Sequence, residues 1–320
     1  MTGLKLTAAF GDYDRTRLLD SSIYPEGVDL SILLLPTSDI FARMCNAQEF
    51  DISEMSMGAH CYLAGQGGSP FVGMPAFTSR AFRHSMVYYN TDSGIEKPED
   101  LNGKRIAIRE WGMTALVWIV GILQEEYGLD LRSIHWVAVK KPRVPIQMPE
   151  GAHIQYMTSG QNLSDMLSSG EVDAALIHQP PKCFSRGSAK VKRMFPDYGN
   201  VEIDYYRRTG IHPIMHCVVL RRDWHQKAPW LLHGIYETLL KAREKTMAAL
   251  SNSQAYFAMI PMLPAFMDET IRVFGKAFWP YGVAPNRRTL EKLVSYAFQQ
   301  GLTPRPLSIE ELFDESVLDS

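Results

Sequence analysis

The sequence predicts an α/β fold in which two lobes enclose a ligand cleft. At 320 residues the chain is longer than one hydrophobic core usually supports, which favours two domains. Short apolar segments rich in β-forming residues alternate with longer helical segments, and this alternation occurs in two successive sets. Such alternation is typical of helices packed against largely parallel sheets.

The first set of elements lies in the N-terminal part of the chain. Residues 56–66 are predicted as a helix, and SRAFRHSMVYYN, which spans 79–90, is predicted as a strand that crosses between the lobes. The other strands predicted in this set are LKLTAAF, VDLSILLL and FDISEM.

The second set lies in the middle of the chain and is followed by a largely helical C-terminal part. A helix is predicted from Thr114 to Tyr127, because Gly128 ends its apolar periodicity. KKPRVPIQMPEGAHI contains three prolines and is predicted to be a long ordered loop. The remaining predictions are the strands KRIAIRE, SIHWVAV, DAALI and PIMHCVVL and the helices at 162–169, 230–250 and 288–300.

These elements predict a discontinuous first lobe. We assign residues 1–88 and 215–320 to lobe 1 and residues 89–214 to lobe 2, with SRAFRHSMVYYN and PIMHCVVLRRD as the two crossing strands. A chain that crosses twice between lobes leaves a cleft between them, where a ligand can bind.

Composition and charge exclude several classes of protein. With 33 basic and 35 acidic residues the net charge is −2 and the charges are interspersed, which gives no electrostatic footprint for nucleic acid. No apolar run reaches the roughly 18 residues that a membrane span needs, and no export signal follows Met1. The cysteines are scattered, so we expect reduced thiols in a cytoplasmic protein; they are Cys45, Cys61, Cys183 and Cys217. The helical C-terminal segment would suit either a homo-oligomer or packing on the lobes.

Basic residues in the first crossing segment indicate an anion-binding cleft. Arg80, Arg83 and His84 directly precede a strand-like apolar run, where cationic donors are costly without an anionic partner. In an extended chain Arg80 and His84 share one face and Arg83 lies on the other. The alternative is that these side chains are solvated loop charges or helix C-cap partners.

Functional residue types follow several predicted strands. In open α/β sheets ligands bind beyond the carboxyl ends of the strands, so these positions are candidates for the cleft. Each could instead cap a helix, particularly Asp12 and Ser56. The candidates are Asp12, Glu54, Ser56, Arg109 and His178.

The turn that follows KRIAI combines several features of an anion site. It delivers Arg109 to the N-terminus of a helix, whose first amides have no intrahelical partner and favour a carboxylate or phosphate. Gly112 permits close backbone approach, and Trp111 could stack on a ring. Met113 and Thr114 complete the turn. The alternative is ordinary capping, with Trp111 in the core.

The sequence predicts no metal site and no bound cofactor. His212 and His216 flank a proline, so their spacing does not place two ligands on one helical face. The common nucleotide-binding and acyl-transfer motifs are missing from the sequence. His216 is equally interpreted as a buried imidazole bonded to backbone or as a catalytic group.

Several motifs resemble the 4,5-dihydroxyphthalate decarboxylase family nearly from end to end. They are GDYDRTRLL, PEGVDL, FDISEMS, SRAFRHS, REWGMTALVW, SGEVDAALI and YYRRTGIHPIMH. The resemblance implies a type II periplasmic-binding-protein-like fold used by a cytoplasmic enzyme of aromatic-compound degradation. It implies conversion of 4,5-dihydroxyphthalate to 3,4-dihydroxybenzoate and carbon dioxide, without a redox cofactor.

The chemistry of such a reaction suggests roles for the candidate residues. Arg80, Arg83 and Arg109, with the amides of 112–114, would hold the carboxylates of an aromatic substrate. A histidine ordinarily titrates near neutral pH, so His84 or His216 would protonate the ipso carbon.

Glu54 or Asp12 would accept hydrogen bonds from the catechol hydroxyls. Two alternatives stay open, a binding protein that closes on an aromatic acid without chemistry and a decarboxylase of another hydroxylated aromatic acid.

Overall fold

The computed structural model describes residues 3–320 of the chain, and these residues form strands and helices in regular alternation. The strands are β1 (Leu4–Phe10), β2 (Val28–Leu34), β3 (Ile52–Ser56), β4 (Phe71–Arg80), β5 (Val87–Asn90), β6 (Arg105–Ile108), β7 (His135–Ala138), β8 (His153–Tyr156), β9 (Ala174–Leu176), β10 (Val191–Arg193) and β11 (Ile214–Arg221). The helices are α1 (Asp14–Arg17), α2 (Thr37–Ala47), α3 (Met57–Gly65), α4 (Thr114–Tyr127), α5 (Leu163–Ser169), α6 (Lys182–Ser185), α7 (Tyr198–Thr209), α8 (Arg222–Lys227), α9 (Trp230–Leu250), α10 (Leu263–Phe274) and α11 (Arg287–Gln299). Within this range every helix is too short or too polar to cross a lipid bilayer.

The strands form two mixed sheets. The first has the order β2-β1-β3-β11-β4, with β1 parallel to β2 and β3, and β11 antiparallel to β3 and β4. The second has the order β10-β5-β9-β6-β7-β8, with β5 antiparallel to its neighbours and the other contacts parallel. Each sheet therefore combines parallel strands joined through helices with antiparallel strands near one side.

Helix α4 lies at the centre of the buried core. Its residues from Thr114 to Leu123 are buried, as expected for a helix that is apolar all round. The indole of Trp118 donates to the carbonyl of Ile214 at 2.8 Å, which joins α4 to β11 of the first sheet. Gln300, just after α11, donates to the carbonyl of Val117 at 2.8 Å. Buried polar groups need such partners, so the helix is fixed relative to the first sheet and to the C-terminal segment.

Many sequence-based predictions of elements are confirmed. LKLTAAF forms β1, and helix α4 has the predicted bounds, with Gly128 at its C-cap in the left-handed conformation (φ 66°). Residues 140–152 form no helix or strand, as predicted for the proline-rich loop, although its last residues enter β8. Helices α2 and α7 and the short helices α1, α6 and α8 were not predicted, whereas α10 lies in the C-terminal part that was predicted to be largely helical.

The prediction of one crossing strand over residues 79–90 is wrong. Strand β4 ends at Arg80, residues 84–86 form a 3₁₀ turn, and β5 belongs to the second sheet. The partner strand explains the break, because β11 begins after Pro213, which has no amide hydrogen to continue the ladder. The amide of Ala81 makes the last contact, with the carbonyl of Pro213 at 3.1 Å. The lobe boundaries at residues 88 and 214 remain a proposal.

Candidate functional site

A cavity of about 440 Å³ is lined by residues from both sheets. Side chains that follow β3 and lie on β11 contribute from the first sheet. Residues that follow β6, β7 and β9 contribute from the second. This placement agrees with the rule that ligands bind beyond the carboxyl ends of parallel strands.

Three helices begin at the wall of this cavity. Thr37 and Ser38 at the start of α2, Ser56 before α3, and Thr114 at the start of α4 all line it. The first amides of a helix lack intrahelical partners and carry the positive end of the helix dipole. Their convergence favours a negatively charged ligand.

A small hydrogen-bond network joins the starts of α3 and α4. The hydroxyl of Thr114 lies 2.9 Å from the hydroxyl of Ser56 and accepts from the amide of Gly58 at 2.9 Å. A side chain at Gly58 would collide with the carbonyl of Gly112, so glycine is required for this approach. Gly112 has φ 83°, and a side chain there would collide with Ile146. The network therefore fixes the two helix starts side by side.

Basic side chains give the cavity an excess of positive charge. Arg83, Arg109, Arg143 and Lys140 line it, and Glu110 is the one acidic residue among the described lining residues. Lys140 pairs with Glu110 at 2.6 Å, which leaves three guanidinium groups without an acidic partner in the lining. Guanidinium groups suit the planar geometry of carboxylates.

Arg83 is a half-buried member of this set of guanidinium groups. Burial lowers its pKa to about 10, against an opposing effect of Glu202, so it stays charged at neutral pH. Its Nε lies 3.2 Å from the sulfur of Met215, a weak acceptor. A carboxylate in the cavity would supply the strong acceptor that this cation lacks.

His216 projects into the cavity from β11 and is held from behind by Glu54. Its Nδ1 lies 2.6 Å from Oε1 of Glu54. The carboxylate is fully buried and also accepts from the hydroxyl of Tyr13 at 3.1 Å and the amide of Gly11 at 2.7 Å. Donation from Nδ1 to a carboxylate leaves Nε2 of His216 as the ring nitrogen available to a ligand. Phe41 packs edge-on against the imidazole, with centroids 4.8 Å apart.

Glu54 is set up to remain ionised despite its burial. Burial alone would raise the pKa of this carboxyl, but the charge of His216, its hydrogen bond and the amide of Gly11 outweigh that effect. The net pKa is lowered. Glu54 therefore serves as a fixed negative charge that orients the imidazole, and it does not itself line the cavity.

His178 is the second imidazole at the cavity wall. Burial lowers its pKa, and the nearby charges of Arg83 and Arg109 lower it further. The ring is therefore neutral at pH 7 and has one nitrogen that can accept a proton.

Three predicted site residues lie away from the cavity. Arg80 is buried, and its guanidinium donates to the carbonyls of His212 at 3.1 Å and Pro280 at 2.8 Å and to the side chain of Asn286. All these acceptors are neutral, and burial lowers the pKa of Arg80 to about 9. Its role is to tie the end of β4 to the C-terminal segment.

His84 and Asp12 also lie away from the cavity, contrary to the prediction. His84 is only 1% exposed and packs against the rings of Phe195 and Tyr205, so burial lowers its pKa to about 4. The 3₁₀ turn points it away from the cavity because the expected strand alternation ends at Arg80. Asp12 lies on the surface, where it accepts from Nη2 of Arg17 at 2.7 Å.

Trp111 lies at the cavity edge but is mostly a core residue. It is 1% exposed, its indole donates to the carbonyl of Gln300 at 3.0 Å, and it packs edge-on against Trp136. Gly112 and Met113 line the cavity beside it. Stacking of Trp111 on a ligand ring is therefore restricted to the little surface that it exposes.

Several lining residues were missed by the sequence reasoning. Lys140 follows β7 and Thr37 follows β2, so the rule on strand ends would have found both. Arg143 lies in the proline-rich loop, where no local pattern marks it. Its guanidinium lies 5.6 Å from the centroid of Phe41, which holds it over the cavity.

Within residues 3–320, no group of three or more His, Cys, Asp or Glu side chains is arranged to hold a metal ion. Cys61 and Cys217 are buried and Cys45 and Cys183 half-buried, all as free thiols.

Comparison with known proteins finds close relatives of one kind. A 4,5-dihydroxyphthalate decarboxylase of Comamonas testosteroni is 33% identical over 327 residues, covering 100% of this chain and 99% of the relative. A 4,5-dihydroxyphthalate decarboxylase of Pseudomonas putida is 33% identical over 237 residues, covering 72% of this chain and 90% of the relative. No protein-family model matches the chain.

Solved structures share the fold at much lower identity. The periplasmic aliphatic sulphonate binding protein of Escherichia coli has a TM-score of 0.52 at 15% identity, covering 97% of this chain and 91% of its own. A periplasmic sulfonate-binding protein of Methylobacillus flagellatus has a TM-score of 0.58 at 15% identity, covering 98% of this chain and 92% of its own. The predicted periplasmic-binding-protein-like fold is thus confirmed, and these likenesses carry no information on the ligand.

Proposed function

The chain belongs to the 4,5-dihydroxyphthalate decarboxylase family, and we propose that it converts 4,5-dihydroxyphthalate to 3,4-dihydroxybenzoate and carbon dioxide in the cavity between the sheets. The observation that carries the proposal is the pairing of an acid–base dyad, His216 with Glu54, with an excess of guanidinium groups in one cavity. A dicarboxylate with two ring hydroxyls needs both.

Binding of the dianion is assigned to the basic side chains and the helix starts. Arg109 and Arg143, with the first amides of α4, would hold the retained carboxylate, because bidentate contacts and helix dipoles both favour it. A strong contact to the departing carboxylate would stabilise the ground state and slow the reaction. We therefore place that group against the apolar part of the lining, away from Phe41 and Met215, which adjoin Arg143 and Arg83.

Proton transfer is assigned to the two histidines. His178, held neutral by burial and its arginine neighbours, would accept the proton of the hydroxyl para to the departing carboxylate. The electron pair of that oxygen moves into the ring, and the ipso carbon takes the proton from Nε2 of His216 in its imidazolium form. The carbon–carbon bond then breaks and its electrons restore the aromatic ring, so that the electron pair returns to the oxygen, which takes its proton back from His178 as carbon dioxide leaves. Glu54 stabilises the imidazolium before transfer.

The net reaction consumes one proton and releases one carbon dioxide, so no oxidant or reductant is required. His216 is reprotonated from solvent after each turnover. The free thiols support a reducing compartment, and we include a cytoplasmic location in the proposal.

The test is to mix the purified protein with 4,5-dihydroxyphthalate, with and without EDTA, and to follow substrate and 3,4-dihydroxybenzoate by chromatography. We expect turnover in both samples. His216→Asn should slow turnover by at least ~100-fold, as expected for loss of a general acid. The matched control is His233→Asn, because His233 is exposed on α9 and is not among the lining residues.

Other outcomes would change the proposal in defined ways. Loss of turnover with EDTA would show a metal requirement. Saturable binding without turnover would favour a binding protein for aromatic acids. Absence of both would indicate another substrate, and full activity of His216→Asn would remove this residue as the acid.

A further inference from the structure

A second cavity lies outside the site described above. It has a volume of about 360 Å³ and is lined by helices α9 and α10 and by the segments around Asp14, Phe82 and Trp279. Volumes of about 300–1,000 Å³ are typical of small-molecule sites. It shares no lining residue with the first cavity.

Aromatic side chains form most of one wall. Phe82 stacks on the imidazole of His212 with centroids 4.9 Å apart, and Trp279 meets the same imidazole edge-on at 5.7 Å. Phe274 lies 6.0 Å from Phe82, in a tilted arrangement. Burial lowers the pKa of His212 to about 3, so its ring is neutral and behaves as part of this wall. Such rings favour a planar aromatic group as ligand.

The charged residues of the cavity leave one positive charge. Arg15 pairs with Asp14 at 2.9 Å, and its guanidinium lies between the rings of Tyr13 and Trp279, with centroids at 4.1 and 4.6 Å. Arg15 and Asp14 therefore neutralise each other.

Arg243 is the second cation of this wall. Among residues 3–320 its only ion pair is a 3.7 Å contact with Glu244, the next residue, whose side chain is 68% exposed. A solvated contact of this length contributes little. Arg243 can therefore pair with one anionic group in the cavity.

We propose that this second cavity binds an aromatic monocarboxylate, with its ring against Phe82 and Trp279 and its carboxylate at Arg243. The charges distinguish the two cavities, because within residues 3–320 the first has three guanidinium groups without an ion pair, which suit a dianion, and the second has Arg243 with only its weak contact to Glu244. This ligand class includes the product of the proposed reaction, and only that link rests on the proposed function.

The experiment is calorimetric titration of benzoate into protein saturated with phthalate, which we expect to occupy the first cavity and which lacks the hydroxyl needed for decarboxylation. We expect one further benzoate to bind per chain. Arg243→Gln, which removes the charge, and Met267→Trp, which fills the cavity, should each weaken benzoate binding at least 10-fold. Arg272→Gln on the same helix as Met267 is the matched control, since Arg272 pairs with Glu269 on the surface.

Independent outcomes separate this proposal from the proposed function. Arg109→Gln, in the first cavity, should weaken the binding of phthalate and leave the binding of benzoate unchanged, whether or not the protein turns over substrate. The proposal is overturned if phthalate displaces benzoate completely, or if benzoate binds normally to both cavity variants. It is also overturned if sedimentation shows that Met267→Trp changes the oligomeric state, because the cavity would then be occupied by a second copy of the chain.

Discussion

Glu54 influences the cavity through its contact with the side chain of His216. Its carboxylate is completely buried and accepts from His216, Tyr13 and Gly11, so it has no contact left for a ligand. Removing its charge without changing its shape should therefore affect proton transfer more than binding. For Glu54→Gln we expect kcat to fall about 10–100-fold with little change in KM. Steady-state kinetics checks this, and a rise in KM with unchanged kcat would show that Glu54 contacts the substrate.

The same substitution should change how stability depends on pH. The pKa of Glu54 is lowered in the folded protein, because His216 and Gly11 outweigh the effect of burial. The carboxylate's contribution is thus present above its ordinary pKa of 4.5 and is lost as the pH falls through the folded value. Urea denaturation should show wild type more stable than Glu54→Gln by about 1–3 kcal/mol at pH 7, with the difference shrinking below pH ~4.5. A constant difference would contradict this.

Arg143 and Asp12 give opposite predictions from their positions. Arg143 lines the first cavity, whereas Asp12 pairs with Arg17 on the surface. Arg143→Gln should raise the Kd for phthalate about 10-fold or more, as expected for a lost charge-assisted contact of about 1.5–3 kcal/mol. Asp12→Asn should leave both phthalate binding and turnover unchanged. Calorimetry and the chromatographic assay test both, and a large loss in Asp12→Asn would restore its predicted catalytic role.

Helices α3 and α4 depend on one hydroxyl for their relative position. Thr114 hydrogen-bonds to Ser56 and accepts from the amide of Gly58, and all three are at the cavity wall or next to it. Thr114→Val keeps the shape but leaves a buried amide without its acceptor, so we expect a loss of about 1–3 kcal/mol in the free energy of unfolding. Thr114→Ser keeps the hydroxyl and is the control. Equal stability of the two variants in urea would contradict this.

Helix α7 and the 3₁₀ turn before β5 enclose a buried carboxyl. Burial raises the pKa of Glu202 to about 7, although the amides of His84 and Ser85 and the charge of Arg83 oppose it. The folded protein therefore holds this proton more tightly than the unfolded chain, and stability falls as the pH rises from about 4.5 to 7. Glu202→Gln should thus be more stable than wild type at pH 8, by about 1–3 kcal/mol, and similar to it at pH 5. Thermal unfolding at both pH values is the measurement.

The sequence was informative where local signals and long-range pairing agree. Helix α4 could be predicted because its apolar run ends at a glycine that adopts the left-handed conformation. The path of the chain after Arg80 could not be predicted, because it depends on where the pairing of β11 with β4 stops, at Pro213. That one difference moved His84 away from the cavity. Arg109 and His178, which follow strand ends, line the cavity, whereas the position of Arg143 depends on a loop path that no sequence period records.

Residues of both sheets line the first cavity, so a ligand bound there should affect the stability of the whole molecule. Arg109 and His178 follow strands of the second sheet, whereas Ser56 and His216 belong to strands of the first. A ligand that contacts both sets should stabilise both parts together. With phthalate at 100 times its Kd the gain is about 2.7 kcal/mol. For a chain of this length that corresponds to a rise in Tm of about 4 °C.

Differential scanning calorimetry tests this coupling. We expect one unfolding transition that moves upward with phthalate, because the cavity residues of both sheets take part in binding. In Arg109→Gln the same phthalate concentration should give a smaller rise, since it would be a smaller multiple of the weakened Kd. Two transitions of which phthalate moves only one would show that a single lobe holds the ligand. The cavity would then have to be assigned to that lobe, and the reaction could not use His178 together with His216.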